Sequence, residues 1–354
     1  MSLLECPSTL AFAGAKVNTT PHPHTSHSAS FPMAIRTPIC DLLAIDHPIL
    51  LAGMGGVSYA KLAAAVSNAG GYGVLGMAGR DPKEIKDNMR EVRKLTDKPF
   101  GVDLLAATPD QMMAAVDVII SEGASSFIAG LGVPMPIMEK LKQAGLKVMV
   151  VCGAVKHAVK AEQAGCDAVI CQGSEGGGHT GLVGTFPLVA QAVEAVKIPV
   201  IAAGGIYDGR GLAASLALGA QGVWMGTRFI ASHEAHAAQM YKDAVLACSD
   251  VDTVRTKSYT GKPMRTKENA WTKDWESRPQ DIQPFPYQAG ISIQSNALGG
   301  IGGQTEGLDP DKSCFAMGQS AGGIRDVLPA GDIVRQIIDE AEAAISKTAR
   351  WSHP

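Results

Sequence analysis

The sequence is short of aromatic residues, of net charge, of long apolar runs and of pairable cysteines, and each shortage closes off a class of protein. Aromatic side chains make up 5% of the chain while 40 glycines are spread through it. That balance fits an α/β protein with many tight turns. Net charge is −3 at pH 7, so no broad basic surface argues for nucleic acid or an anionic membrane as partner. No apolar run approaches the roughly 18–20 residues of a membrane span. The seven cysteines, Cys6, Cys40, Cys152, Cys166, Cys171, Cys248 and Cys314, form an odd set without C-x-x-C spacing. This argues against a disulfide framework and a zinc site, and for a reducing, cytoplasmic compartment. What the chain does have is 46% hydrophobic content over 354 residues, enough for one large core or two smaller ones.

Residues 1–32 read as a polar extension outside the fold. Pro21 to Ser28 is proline-bearing and aperiodic, and its histidines, His22, His24 and His27, belong to a solvated tail rather than a metal site. Arginine is too scarce for a transit peptide, and Leu10 to Ala13 is too weak for a secretory signal. From His47 onward a unit repeats: an apolar strand-like run, a glycine or proline loop, then an amphipathic helix. Strands are expected at 48–52, 72–76, 100–105, 126–129, 147–151, 168–171, 199–203 and 222–225. Helices are expected at 59–68, 82–95, 109–121, 136–143, 154–163, 186–196 and 211–218. Several helices end in an Ala-Gly or Gly-Ala pair, with glycine where a helix commonly terminates. The strands are continuous apolar runs, as in parallel sheets covered on both faces.

Eight such units predict a (β/α)8 TIM barrel over 33–256 and 320–350. The alternative is an open doubly wound sheet, but Gly53-Met54-Gly55-Gly56 lacks the dinucleotide-binding spacing. After the eighth strand, His233–Cys248 reads as helical. Residues 257–319 read as a long irregular insertion forming a lid over the barrel mouth. A closing helix is expected over Asp332–Ser346.

Function in such a barrel sits at the C-terminal ends of the strands. The loops after the seventh and eighth strands carry Ala203, Gly204 and Gly205, then Gly226 and Thr227. Bare amides there form an anion site without a lysine, which points to a phosphorylated substrate or a cofactor such as FMN. After the sixth strand comes Cys171-Gln172-Gly173-Ser174-Glu175-Gly176-Gly177-Gly178-His179-Thr180-Gly181. Its glycines let a flat ring lie against backbone, Gln172 offers a hydrogen bond to a ring edge, and Glu175 a tether for the loop. His179 is the candidate general base; otherwise it satisfies buried carbonyls. Asp103, ending the third strand, either accepts a hydrogen bond from a flavin or pairs with an arginine. Arg228 either neutralises phosphate or pairs with an acid. Cys171 is a small buried filler or a reactive thiol. His157 and His236 fall in helical patterns and read as solvated.

The Cys171–Gly181 loop, Ile201-Ala202-Ala203-Gly204-Gly205-Ile206 and Met225-Gly226-Thr227-Arg228-Phe229 together resemble the nitronate monooxygenases, formerly 2-nitropropane dioxygenases. Ala52-Gly53-Met54-Gly55 and Met317-Gly318-Gln319-Ser320-Ala321-Gly322 also fit, and the resemblance spans about Met33 to Ala344. It implies an FMN-dependent barrel that oxidises alkyl nitronates or nitroalkanes with oxygen, with His179 as base and no metal. The implied FMN contacts are Ala52, Gly53, Met54, Asp103, Gln172, Gly173, Gly177, Gly178, Ala203, Gly204, Gly205, Trp224, Met225, Gly226, Thr227 and Gln319. The chain departs from the family pattern with Gly176 for alanine, Asp103 for asparagine and Trp224 for glutamine. Flavin-dependent enoyl-acyl-carrier-protein reductases and NADH:quinone reductases of the same superfamily remain the enzymatic alternative, and a non-catalytic flavin- or phosphate-binding barrel the other. The oligomeric state stays open, a homodimer included.

Overall fold

The computed structural model describes residues 35–351; the tail with Cys6 and its three histidines lies outside them. Eleven strands are present among the described residues: β1 Ile49–Leu51, β2 Gly73–Gly76, β3 Phe100–Leu105, β4 Ser126–Gly130, β5 Lys147–Cys152, β6 Ala168–Gln172, β7 Gly178–His179, β8 Val200–Ala203, β9 Gly222–Met225, β10 Thr253–Thr256 and β11 Met264–Lys267. Eight of them form one parallel sheet in the order β1-β9-β8-β6-β5-β4-β3-β2. The ring closes where Leu51 N–H donates to the Tyr72 carbonyl and Tyr72 N–H to that of Ile49, both at 2.9 Å. This is the expected (β/α)8 barrel.

Alternation within each strand divides the apolar side chains between two cores. Leu50, Val74, Ile128, Met149, Ile170, Ile201 and Trp224 fill the barrel interior, joined by Ile39, Cys40 and Leu43 of the Pro38–Leu43 helix. The intervening residues, such as Val102, Phe127, Val169 and Val223, pack outward against the helices. In β3 the outward residues are Phe100, Val102 and Leu104, so the alternation turns Gly101 and Asp103 inward. A carboxyl group is thus placed inside an apolar barrel by strand geometry alone.

The helices begin and end as their sequences predict. Pro82–Leu95 and Pro109–Ser121 each carry proline in the first turn, and Asp81 caps the former by accepting from Glu84 N–H at 2.8 Å. Gly70, Gly123, Gly145, Gly165 and Gly219 follow helices with φ between 77° and 92°, the left-handed stop that glycine adopts without strain. The closing helix, Ala330–Ala349, packs on Gly209–Ala217, and Glu340 accepts the Gly209 N–H at 2.9 Å.

Two expectations fail. The helix expected over His233–Cys248 is confined to Gln239–Leu246. The preceding backbone is used in tertiary bonds instead: His233 N–H donates to Leu328 O and His236 N–H to Val57 O. His236 is exposed, as expected, and its ring also tilts against Tyr59 at 4.8 Å and bonds the Gly303 carbonyl at 3.1 Å. The 257–319 segment is not irregular either. It carries β11 and the helices Ala270–Glu276, Tyr287–Gln294 and Gly299–Gly302. β10 and β11 pair antiparallel, and β11 pairs in turn with β7. No helix among the described residues is long and apolar enough to cross a membrane.

Candidate active site

A cavity of about 1,050 Å3 opens at the C-terminal ends of the barrel strands. Its floor includes Ala52, Gly53 and Met54 after β1 and Asp103 on β3. Gln172, Gly177, Gly178 and His179 enter from the glycine loop. Ala203, Gly204 and Gly205 enter after β8, and Trp224, Met225, Gly226 and Thr227 at the end of β9. The 257–319 segment supplies further wall, including Thr260, Lys262, Phe285 and Ile293. The structure therefore gathers these candidates from five separate stretches of chain.

Two predicted contacts lie elsewhere. Gly173 is packed against the next helix: a Cβ there would sit 2.1 Å from Thr185 Oγ1. Gln319 ties the loop through its backbone, N–H to Glu175 O at 3.0 Å, while its side chain reaches the Asp250 carbonyl at 3.4 Å. Its neighbour Ser320 lines the cavity instead.

The glycine loop is tied from several sides. Gln172 Nε2 donates to the carbonyls of Gly177 (3.2 Å) and His179 (3.0 Å), so this amide nitrogen holds the loop rather than a ring edge. Both Glu175 oxygens accept from Thr185 N–H, at 3.0 and 2.9 Å, and Thr185 Oγ1 lies 3.1 Å from Oε2. Glu175 thereby caps the Thr185–Ala195 helix and fixes the loop to it. Arg265 Nε donates to Ser174 O at 2.8 Å. β7 itself is the end of the loop, with His179 opposite Met264 and Gly178 opposite Arg265.

This pairing places His179 Nε2 2.9 Å from Thr260 Oγ1. Burial pushes the imidazole down to about 4, with Lys262 as the second cause. His179 is therefore neutral at physiological pH, beside a lysine that has no acidic partner among the described residues. Lys262 Nζ instead sits 4.7 Å over the Phe285 ring.

Asp103 is nine-tenths buried, and its carboxyl has neither a hydrogen-bond nor an ion-pair partner among the described residues. The alternative arginine pairing is not made among the described residues. Burial holds its carboxyl well above the usual carboxylate range. Gly53 is required beside it, since a Cβ would stand 2.2 Å from Asp103 Oδ2.

At the expected phosphate end, Gly204 and Gly205 adopt φ of 97° and 76°, and Thr227 Oγ1 accepts from Gly318 N–H at 3.0 Å. Its own hydroxyl hydrogen stays available. Arg228 is not part of this cradle: it donates to Asp326 Oδ1 at 2.7 Å and to the Asp326 carbonyl at 2.9 Å. The Cys171 thiol is fully buried and pushed up to about 12, which makes it a filler. Every cysteine among the described residues is unpaired. Thr260 and Lys262 are the site residues that sequence reasoning missed. Nothing in their own residue types marked them; the strand that positions them, Met264–Lys267, alternates buried and half-buried side chains in the structure.

Comparison with known proteins agrees with this geometry. The family description "Nitronate monooxygenase" matches residues 36–117 and 111–340. A "Probable nitronate monooxygenase" of Staphylococcus saprophyticus is 35% identical over 302 residues, covering 72% of this chain and 85% of that protein. Among solved structures, FabK from Thermotoga maritima superimposes with a TM-score of 0.82 at 38% identity, covering 90% and 99% of the two chains. A nitroalkane oxidase from Streptomyces ansochromogenes does so with a TM-score of 0.78 at 29% identity, covering 88% and 99%. An inward-facing histidine on a glycine loop, at the mouth of a barrel matched almost end to end, makes the chain an oxidoreductase of the nitronate monooxygenase family.

Proposed function

We propose that this protein is an FMN-dependent oxidoreductase that oxidises nitroalkanes and their nitronates with molecular oxygen, using His179 as base. The observation that carries the reading is the placement of His179: a half-buried imidazole facing the cavity, held by Thr260 at 2.9 Å with Lys262 beside it. A neutral imidazole accepts a proton from an acidic C–H. The ammonium of Lys262 then faces the negative charge that the nitro group gains as the C–H bond ionises.

The residues present fit the cofactor. Asp103 offers a buried carboxyl without a partner, suited to a polar edge of an isoalloxazine. Gly178, where an added Cβ would meet nothing within 4 Å, leaves open space in the cavity wall for a flat ring. The backbone at Gly204-Gly205 and Gly226-Thr227 suits a phosphate. FMN held there would take up the electrons of the deprotonated carbon and pass them to oxygen. Around it, Gln172 and Glu175 keep the loop fixed, and Thr260 orients the base. Thr260 Oγ1, 2.9 Å from His179 Nε2 and 3.3 Å from the Lys262 carbonyl, fixes that edge of the ring.

The reductase alternative uses the same cavity and the same histidine, and differs in its electron donor. The test is anaerobic mixing of the yellow protein with nitroethane, ethyl nitronate and NADH. Bleaching by the first two, lost for nitroethane alone in a flavin-replete His179→Ala variant, is the expected result. Bleaching by NADH only would overturn the reading, and a colourless protein would remove the flavin altogether.

A further inference from the structure

Asp103 is the only carboxyl group lining the cavity among the described residues, and the fold gives its side chain nothing to do. Its backbone is used: it stands opposite Gly76 on β2 and Ile128 on β4, and its carbonyl accepts from Met77 N–H at 3.0 Å. The elements packed against it, which are the 52–54 turn, β2 and β4, present no titratable side chain. One layer deeper in the barrel, beside Gly101, Tyr72 spends its hydroxyl on Ser125 and Ser126 at 2.8 and 2.6 Å. Around the cavity stand Arg80, His157, Lys160, His179, Tyr241 and Lys262. None of them bonds to Asp103, and burial alone raises its ionisation. An unpaired carboxyl in such a place destabilises the fold, and no protein partner offsets the cost. The partner within its reach is a molecule bound in the cavity.

An acid differs from an amide of the same shape in that its proton can leave. The family pattern has asparagine at this position, so the exchangeable proton is this chain's own departure. Ionised Asp103 is disfavoured by burial beside an uncharged ring. Beside negative charge in the same low-dielectric space it is disfavoured further. Two electrons and one proton bring one negative charge into a flavin site. Asp103 therefore keeps its proton more firmly when the site is reduced than when it is oxidised.

We propose that Asp103 is the proton partner of the bound flavin: its carboxyl holds a proton against the reduced ring and releases it beside the oxidised ring at alkaline pH, so that electron entry draws a second proton into the site. The balance there is two electrons and one proton to the ring, and one proton from solvent to the Asp103 carboxylate; oxidation returns all of them. At acidic pH Asp103 stays protonated throughout, and proton uptake is the ring's own. The proposal rests on the FMN reading and does not depend on which substrate supplies the electrons.

The test reduces the FMN-loaded protein electrochemically, without substrate, from about pH 5 to about pH 10. Midpoint potentials of wild type and Asp103→Asn should run parallel at the acidic end. At the alkaline end the wild type should fall about twice as steeply with pH, taking up two protons per electron pair where the variant takes one. Reduced-minus-oxidised infrared spectra at the alkaline end should show a protonated-carboxyl stretch in the wild type, shifted by isotope-labelled aspartate and missing from Asp103→Asn. Parallel potentials over the whole range, or no such band in the wild type, would overturn the proposal and leave the flavin standing. If the variant loses FMN, the wild-type band alone decides. A wild type that takes up no FMN would overturn the flavin reading and the proposal with it.

Discussion

The neutral state of His179 makes a prediction that needs no substrate. Its folded-state value is near 4 against an ordinary 6.5. Between these limits the unfolded chain binds a proton at His179 and the folded chain does not. Stability therefore falls as pH drops through this window, and levels off below it. Between pH 7 and pH 5 the loss amounts to roughly 2 kcal/mol from this one residue. A His179→Gln variant keeps a polar group near Thr260 and has no such titration. Urea unfolding of flavin-free protein at several pH values gives the comparison, with cofactor release removed from both curves. The wild type should lose about 2 kcal/mol more than the variant on going from pH 7 to pH 5. Parallel curves would mean that His179 is solvated in the folded state, and the argument for a buried base would fall with it.

Three further outcomes follow from named contacts. Asp103→Asn should match the wild type in stability near pH 4 and exceed it at pH 8 in flavin-free protein, because the buried carboxyl resists an ionisation that the unfolded chain undergoes; equal stability at pH 8 would contradict its burial without a partner. Thr260→Val should lower kcat/KM for nitroethane about tenfold, the equivalent of one hydrogen bond of about 1.4 kcal/mol, and shift the 15N signals of the His179 ring away from a single tautomer. Glu175→Ala removes a helix cap and the loop's tether, so urea unfolding should show about 1–2 kcal/mol lost, with weaker flavin retention on dialysis.

The barrel was legible because each of its units announces itself locally. Gly70, Gly123, Gly145, Gly165 and Gly219 stop helices through their own φ, and Pro82 and Pro109 start them. The cavity face followed from strand order, so Asp103, the glycine loop and the β8 and β9 ends were found together. Gly173 and Gln319 were misplaced because motif membership does not say which way a residue faces: Gly173 is needed by Thr185, and Gln319 works through its amide. The 257–319 segment was misread because its order is non-local. Met264 meets His179 across 85 positions of sequence, and no periodicity within either segment declares such a pairing. Thr260 and Lys262 were hidden for the same reason.

The β7–β11 ladder has a consequence for how relatives of this chain could be recombined. A roof that only covered a pocket could be exchanged between homologues like a cap, altering what enters and nothing else. Here the roof pairs through its backbone with the strand that carries His179, the proposed base, and reaches its ring through Thr260. A graft across this joint transplants the orientation of the imidazole along with the new wall, and a one-residue slip would turn His179 to the opposite face of its strand. The stretch from Thr260 to Arg265 must travel as one piece with the glycine loop it grips.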